Sequence, residues 1–227
     1  MRGTLTKAWW VLISVVFGVV AGGVAIAASN DQPVKVGITA DMGSIIVKHR
    51  RVPIKVQRIQ DTDNRLVDDF SKTSRPCPPF CIHPISAAPG VRTIAEVELL
   101  DFVAHDVEQK KGFLIDARMP KWYKSETIPG AINLPFIIFS KKGKGLDKIL
   151  KLLGGKKSGD HFDFTNAKEL ALFCNGPWCD QSPRAIRNLI ALGYPPEKLR
   201  YYRGGMQLWK LFGLTTVLPT SNKVSMK

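Results

Sequence analysis

The chain has 227 residues, 44% of them hydrophobic and 23% charged, with a formal net charge of +14 at pH 7. These proportions exclude a disordered or fibrous polymer and leave room for one full domain with a small appendage. The positive balance points to anionic surfaces or small anionic substrates, or simply to a solvated basic face. Basic residues are scattered and not interleaved with aromatics, so no nucleic-acid partner is expected.

Residues 1–28 read as a targeting segment. Arg2 and Lys7 make a short positive start, residues 8–28 are uncharged and mostly apolar, and Ala25-Ile26-Ala27 fits a small-x-small cleavage site. The alternative is an uncleaved anchor, because the apolar run approaches bilayer length. Either way the positive start stays in the cytoplasm and the rest is exported, which in a bacterium means the periplasm. Membrane contact is expected only through residues 8–28, if they are retained.

Residues 31–75 form a first region. Val34, Val36 and Ile38 alternate with other residues, as do Ile54, Val56 and, less regularly, Ile59, and Ser44–Val47 is a β-branched run. Two to four short strands follow from this pattern. Such a β-rich extension is too small to hold a core and is expected to dock on a larger body. Residues 76–91 are a connector. It holds Cys77, Cys81 and His83 among four prolines in nine residues, which forbid helix and central strand.

The main domain is placed at 92–217, with a tail at 218–227. Thr93-Ile-Ala-Glu96 has the form of a capping box, opening a helix with Ile94, Val97, Leu100 and Val103 on its apolar face. Phe113–Ile115 is a buried strand ending at Asp116, and Ile128–Pro135 is a turn and a second strand. Leu146–Leu153 is a short helix between lysine- and glycine-rich loops. Leu170–Phe173 is a strand ending at Cys174. Ser182 is the expected N-cap of the next helix, with Pro183 at its first position and Gly193 at its stop. Leu199–Tyr202 is another strand. Met206–Phe212 is the last helix, with Leu208, Trp209 and Leu211 or Phe212 inward. Strands alternating with helices imply a parallel sheet covered on both faces, with ligands beyond the carboxyl ends of its strands.

The most informative segment runs from Leu170 to Ile190. It places the Cys174 thiol at the end of a buried strand, before a tight loop and a helix amino terminus. Amide groups and the helix dipole there favour negative charge, so the thiol ionises readily and becomes a nucleophile. The loop Asn175, Gly176, Pro177, Trp178, Cys179, Asp180, Gln181, Ser182 supplies backbone N–H groups, except at Pro177. Trp178 either covers the thiol or caps the core.

Four segments in order resemble the rhodanese-like family: Leu114-Ile-Asp116-Ala-Arg118, Ile128-Pro-Gly-Ala-Ile-Asn133, Leu172-Phe-Cys174, and Gly193-Tyr194 followed by Arg203-Gly-Gly205-Met-Gln-Leu-Trp209. The resemblance covers about residues 92–217. It implies an α/β fold, a five-stranded parallel sheet with helices on both sides. It also implies that Cys174 accepts sulfane sulfur from a small anionic donor such as thiosulfate. The sulfur would be held as a persulfide and passed to a thiol or cyanide-like acceptor, with no cofactor. A periplasmic redox protein is a further candidate partner. One departure concerns the donor. Sulfurtransferases acting on thiosulfate often carry a cation in the loop, whereas residues 175–182 have none and Asp180 is acidic. Arg184 and Arg187 lie just beyond.

Other residues keep open readings. Cys179, five residues after Cys174, is a small packed side chain, a resolving thiol, or half of a permanent disulfide. Asp116 and Arg118 are a buried structural ion pair or an acid–base couple. Cys77 and Cys81 are a local disulfide, a redox relay to Cys174, or, with His83, a poorly spaced metal set; no metal is expected. A phosphatase is disfavoured because Asp180 occupies the position where such loops carry arginine. A thioredoxin site is disfavoured because four residues separate Cys174 from Cys179. Two readings compete with a sulfurtransferase: a thiol-redox module, and a non-catalytic module that binds sulfur or a partner.

Overall fold

Residues 45, 47, 54 and 56 are apolar at a spacing of two, and in the computed structural model they lie on one face of a hairpin. β1 (Ser44–His49) pairs antiparallel with β2 (Val52–Gln57), Val47 opposite Ile54 and Ile45 opposite Val56. The structure describes residues 34–219 and 223–225, so the expected signal or anchor at 1–28 lies outside the described residues. Arg50 and Arg51 make the turn with φ of 49° and 71°, the left-handed pair that a two-residue hairpin turn demands. The hairpin's apolar face shares one core with Ile94, Leu100, Val103, Trp209 and Leu214. The strand expected at Val34–Ile38 is absent. The amides of Ile38 and Thr39 both bond to the carbonyl of Met42, so the chain turns before any ladder forms.

The remaining elements follow in chain order. β3 (Arg92–Ile94) leads into α1 (Glu96–Phe102), which continues as a π turn over Val103–Val107. Next come β4 (Gly112–Asp116), α2 (Pro120–Ser125), β5 (Ala131–Asn133) and α3 (Lys144–Leu152). A small hairpin, β6 (Lys156–Ser158) with β7 (His161–Asp163), occupies the lysine- and glycine-rich stretch. β8 (Glu169–Phe173), α4 (Gln181–Ala191), β9 (Leu199–Tyr202) and α5 (Gly205–Leu211) complete the alternation, followed by the pair β10 (Thr216–Leu218) and β11 (Lys223–Ser225). β3-β9-β8-β4-β5 form a parallel sheet, as the alternating pattern implies, with the five strands that the family resemblance implies.

Both faces of this sheet are covered. Ala171 and Phe173 of β8 point into the core beneath α1, α5 and the hairpin; Leu170 and Leu172 point into a second core that includes Leu150, Ile186 and Leu189 from α3 and α4. A central strand buried on both faces has no polar alternation, which is why its sequence reads as a continuous apolar run.

Two helix readings are corrected. Thr93 does not cap α1: it lies in β3, opposite Tyr201 of β9, and its hydroxyl donates to the Ile85 carbonyl at 2.6 Å. Strand pairing claims Arg92–Ile94, so the helix starts two residues later, at Glu96 after Ala95, with Glu98 accepting from the Ala95 amide at 3.1 Å. Val97 consequently faces solvent and Leu99 takes the buried position. In α5, Met206 and Trp209 set the inward face; Leu208 is half-buried, and Leu211 and Phe212 are exposed.

Candidate active site

Asp116 ends β4 in register with Phe173, so the residues after both strands emerge side by side at the carboxyl edge of the sheet. There the loop folds back on itself, the Cys179 amide bonding to the Gly176 carbonyl at 2.9 Å. The start of α5 holds the loop from beneath: Met206 N–H donates to the Cys174 carbonyl at 3.0 Å and Gln207 N–H to that of Asn175 at 2.9 Å. Gly205 makes this approach with φ of +57°, and a Cβ there would fall 2.4 Å from the Cys174 carbonyl oxygen. Gly205→Ala is therefore expected to cost about 2–4 kcal/mol, from left-handed strain plus a backbone clash, read as a lower denaturation midpoint.

The Cys174 side chain is 2% exposed, yet its sulfur is surrounded by polar groups. Ser182 Oγ donates to Cys174 Sγ at 3.0 Å, and in the thiol form Sγ–H points at the Cys179 carbonyl at 3.1 Å. Burial pushes this thiol up. The Cys179 thiol, the Ser182 hydroxyl and the amides of Ser182 and Gly176 all stabilise the thiolate, and together they hold Cys174 below its ordinary value. Cys179 moves the other way: burial raises it well above the usual range, the adjacent Cys174 sulfur raises it further, and the amides of Asn175 and Gln181 offset part of this. Both cysteines are free in this structure.

Ser182 is thus not the N-cap. α4 begins at Gln181 after Asp180, whose side chain makes no capping bond, and Ser182 sits inside the first turn, fully buried against the sulfur. Ser182→Ala removes one thiolate donor. Alkylation of Cys174 is expected to rise with pH about an inflection below that of a free thiol, and Ser182→Ala is expected to move that inflection upward. An unchanged inflection would contradict this role.

The rest of the loop is anchored from several sides. Asn175 Oδ1 accepts from Arg118 Nη1 at 3.3 Å. Arg118 and Asp116 are wholly buried and paired two-pronged, Nε to Oδ1 at 2.9 Å and Nη2 to Oδ2 at 2.7 Å. Thr127 Oγ1 donates to Asp116 at 2.8 Å, and Arg118 also donates to the Glu126 carbonyl at 2.6 Å. The geometry is that of a structural tie between loops. The Pro177 carbonyl accepts the His83 amide at 2.9 Å. Trp178 Nε1 donates to Gln207 at 2.6 Å, while Arg75 lies 3.9 Å over its ring and Phe80 meets its edge. The loop's acid, Asp180, faces Arg184 at 3.4 Å, and Arg184 also lies over the Phe136 ring.

Sequence reasoning missed the connector's role and one tyrosine. Cys77 and Cys81 are joined in a disulfide, and with Arg75, Phe80 and Trp178 they line a cavity of about 650 Å³ beside the loop. Tyr201 pairs with Leu172, two residues before Cys174, which places its phenol diagonally beside the thiol on the α4 side of the sheet. Among the described residues its buried hydroxyl has no hydrogen-bond partner, and its ionisation is suppressed by burial first and then by the Cys174 charge. The strand register was the only signal for it.

A parallel sheet covered on both faces, with a buried cysteine at a strand's carboxyl end where ligands of such sheets sit, defines an α/β protein. The chain belongs to the rhodanese-like domain family, whose family model matches residues 99–211. No curated protein matches the sequence. Among solved structures it is similar to the single-domain sulfurtransferase RDL2 of Saccharomyces cerevisiae, at 20% identity over 59% of this chain and 95% of that one, TM-score 0.40. It is also similar to the human single-domain sulfurtransferase TSTD1, at 20% identity over 53% and 96%, TM-score 0.37. A rhodanese from E. coli shares 24% identity over 42% and 88%, TM-score 0.29.

Proposed function

We propose that the protein is a sulfurtransferase whose carrier is Cys174. The observation that carries this reading is the set of donors around one sulfur: the Ser182 hydroxyl, the Cys179 thiol and two amides. They stabilise an anionic sulfur before any substrate arrives, which is the preorganisation a persulfide requires. The Cys174 thiolate attacks the outer sulfur of the donor, the donor's S–S bond breaks, and the former partner leaves with the electron pair. The acceptor then attacks the terminal sulfur, and the Cys174 thiolate is the leaving group.

The nature of the loop favours a persulfide donor over thiosulfate. Residues 175–182 carry no cation to meet a sulfonate, and Arg184 is engaged with Asp180 and Phe136. Because Cys174 is buried, turnover follows an outward movement of the Gly176–Cys179 turn from Gln207 and the connector. We place this activity outside the cytoplasm, with residues 1–28 as leader or anchor; no described helix is long and apolar enough to cross a membrane. The test supplies cysteine persulfide or thiosulfate with excess cyanide and follows thiocyanate. The expected result is thiocyanate from both, faster with the persulfide; none from either donor would reject the assignment.

A further inference from the structure

We propose that Cys179 is a resolving thiol that discharges the Cys174 persulfide as hydrogen sulfide and leaves a Cys174–Cys179 disulfide. The inference rests on the sulfurtransferase reading and adds a second activity to the same site: reduction of sulfane sulfur.

The loop's fold supplies the geometry. The turn closed by the Cys179 amide and the Gly176 carbonyl returns residue 179 to the sulfur, with its carbonyl 3.1 Å from Cys174 Sγ. Both thiols are free and buried together. Burial opposes ionisation at Cys179, and the amides of Asn175 and Gln181 offset part of that opposition. Those amides stabilise a thiolate at Cys179 whenever its proton departs.

The chemistry balances within the site. Once Cys174 carries a persulfide, the negative charge sits on the terminal sulfur, one atom further out, and no longer on Sγ. The Cys179 thiol passes its proton to that terminal sulfur. The resulting Cys179 thiolate attacks Cys174 Sγ, a new S–S bond forms, the old one breaks, and its electron pair leaves with hydrosulfide. The sulfane sulfur gains two electrons and the two cysteine sulfurs lose them, so this half-reaction needs no outside oxidant. An external dithiol reductant then attacks the Cys174–Cys179 disulfide, restores both thiols and departs as its own disulfide.

The experiment uses the full chain, loaded with cysteine persulfide in the absence of cyanide or added reductant. Sulfide is measured, and so is the mass of the tryptic peptide 169–184, which contains both cysteines. The wild-type protein is expected to release close to one sulfide per chain, its peptide becoming lighter by two hydrogens. Cys179→Ala and Cys179→Ser are expected to retain the added sulfur on the peptide and to release sulfide at least an order of magnitude more slowly; when cyanide follows they still yield thiocyanate, in Cys179→Ala more slowly than the wild type because one donor to the Cys174 thiolate is gone. Sulfide release at the wild-type rate from both variants would overturn the proposal, as would a wild-type persulfide that persists without sulfide release. Absence of added sulfur in all three proteins would overturn sulfur transfer itself, and this inference with it.

Discussion

Cys174→Ser is expected to abolish thiocyanate formation from any sulfane donor while leaving the fold standing. A serine hydroxyl is not ionised near neutral pH and does not attack sulfane sulfur, so the loss should reach the uncatalysed background. The replacement is nearly isosteric, and its oxygen can accept from the Ser182 hydroxyl and the amides that now face the sulfur. Stability should therefore change by no more than about 1 kcal/mol, the usual range for a mild polar exchange. Activity and thermal unfolding measured on the same sample separate the two effects. Residual transfer clearly above background would mean that another residue carries the sulfur.

Arg118→Ala is expected to be the most damaging change away from the thiol. Arg118 and Asp116 have no exposure to solvent, so removing the guanidinium leaves a buried carboxylate whose remaining donors among the described residues are the Thr127 side chain and the residue 118 amide. Breaking a buried pair on one side typically costs about 3–5 kcal/mol, which is a large part of a single domain's stability. The same change frees the Glu126 carbonyl and the Asn175 side chain, and Asn175 is the residue after the thiol. Lower denaturation midpoint and lower transfer activity should therefore appear together. Arg118→Lys is expected to recover little, because a single ammonium cannot reproduce the two-pronged contact with Asp116 and also reach Glu126. A variant as stable as the wild type would remove this tie from the account.

Local sequence signals revealed the features that depend on neighbouring residues. The apolar run 170–173 ends at Cys174 as the pattern implies, Gly193 stops α4 with φ of +92°, and the spacing of Asp116 and Arg118 across one residue lets them pair as they leave β4. What escaped were contacts made across the fold. Ser182 has the composition of an N-cap, but tertiary packing turns its hydroxyl toward a sulfur eight residues earlier. Thr93 and Glu96 have the spacing of a capping box, but pairing with β9 draws Thr93 into the sheet. Tyr201 becomes part of the site only through the register between β8 and β9, and Arg75 meets Trp178 only because the connector crosses the loop. No local periodicity encodes such contacts, since they depend on how distant segments are brought together.

Direct location of the transferred sulfur bears most closely on the central claim. The Cys179→Ala protein, which has no second thiol in the loop to drain the site, would be mixed briefly with cysteine persulfide, quenched, and mapped by peptide mass spectrometry, with and without a following pulse of cyanide. The account predicts one extra sulfur atom on Cys174 and on no other residue, and its disappearance into thiocyanate during the pulse. Thiocyanate formed while Cys174 stays unmodified, or a Cys174 that acquires sulfur but does not yield it to cyanide, would contradict the account.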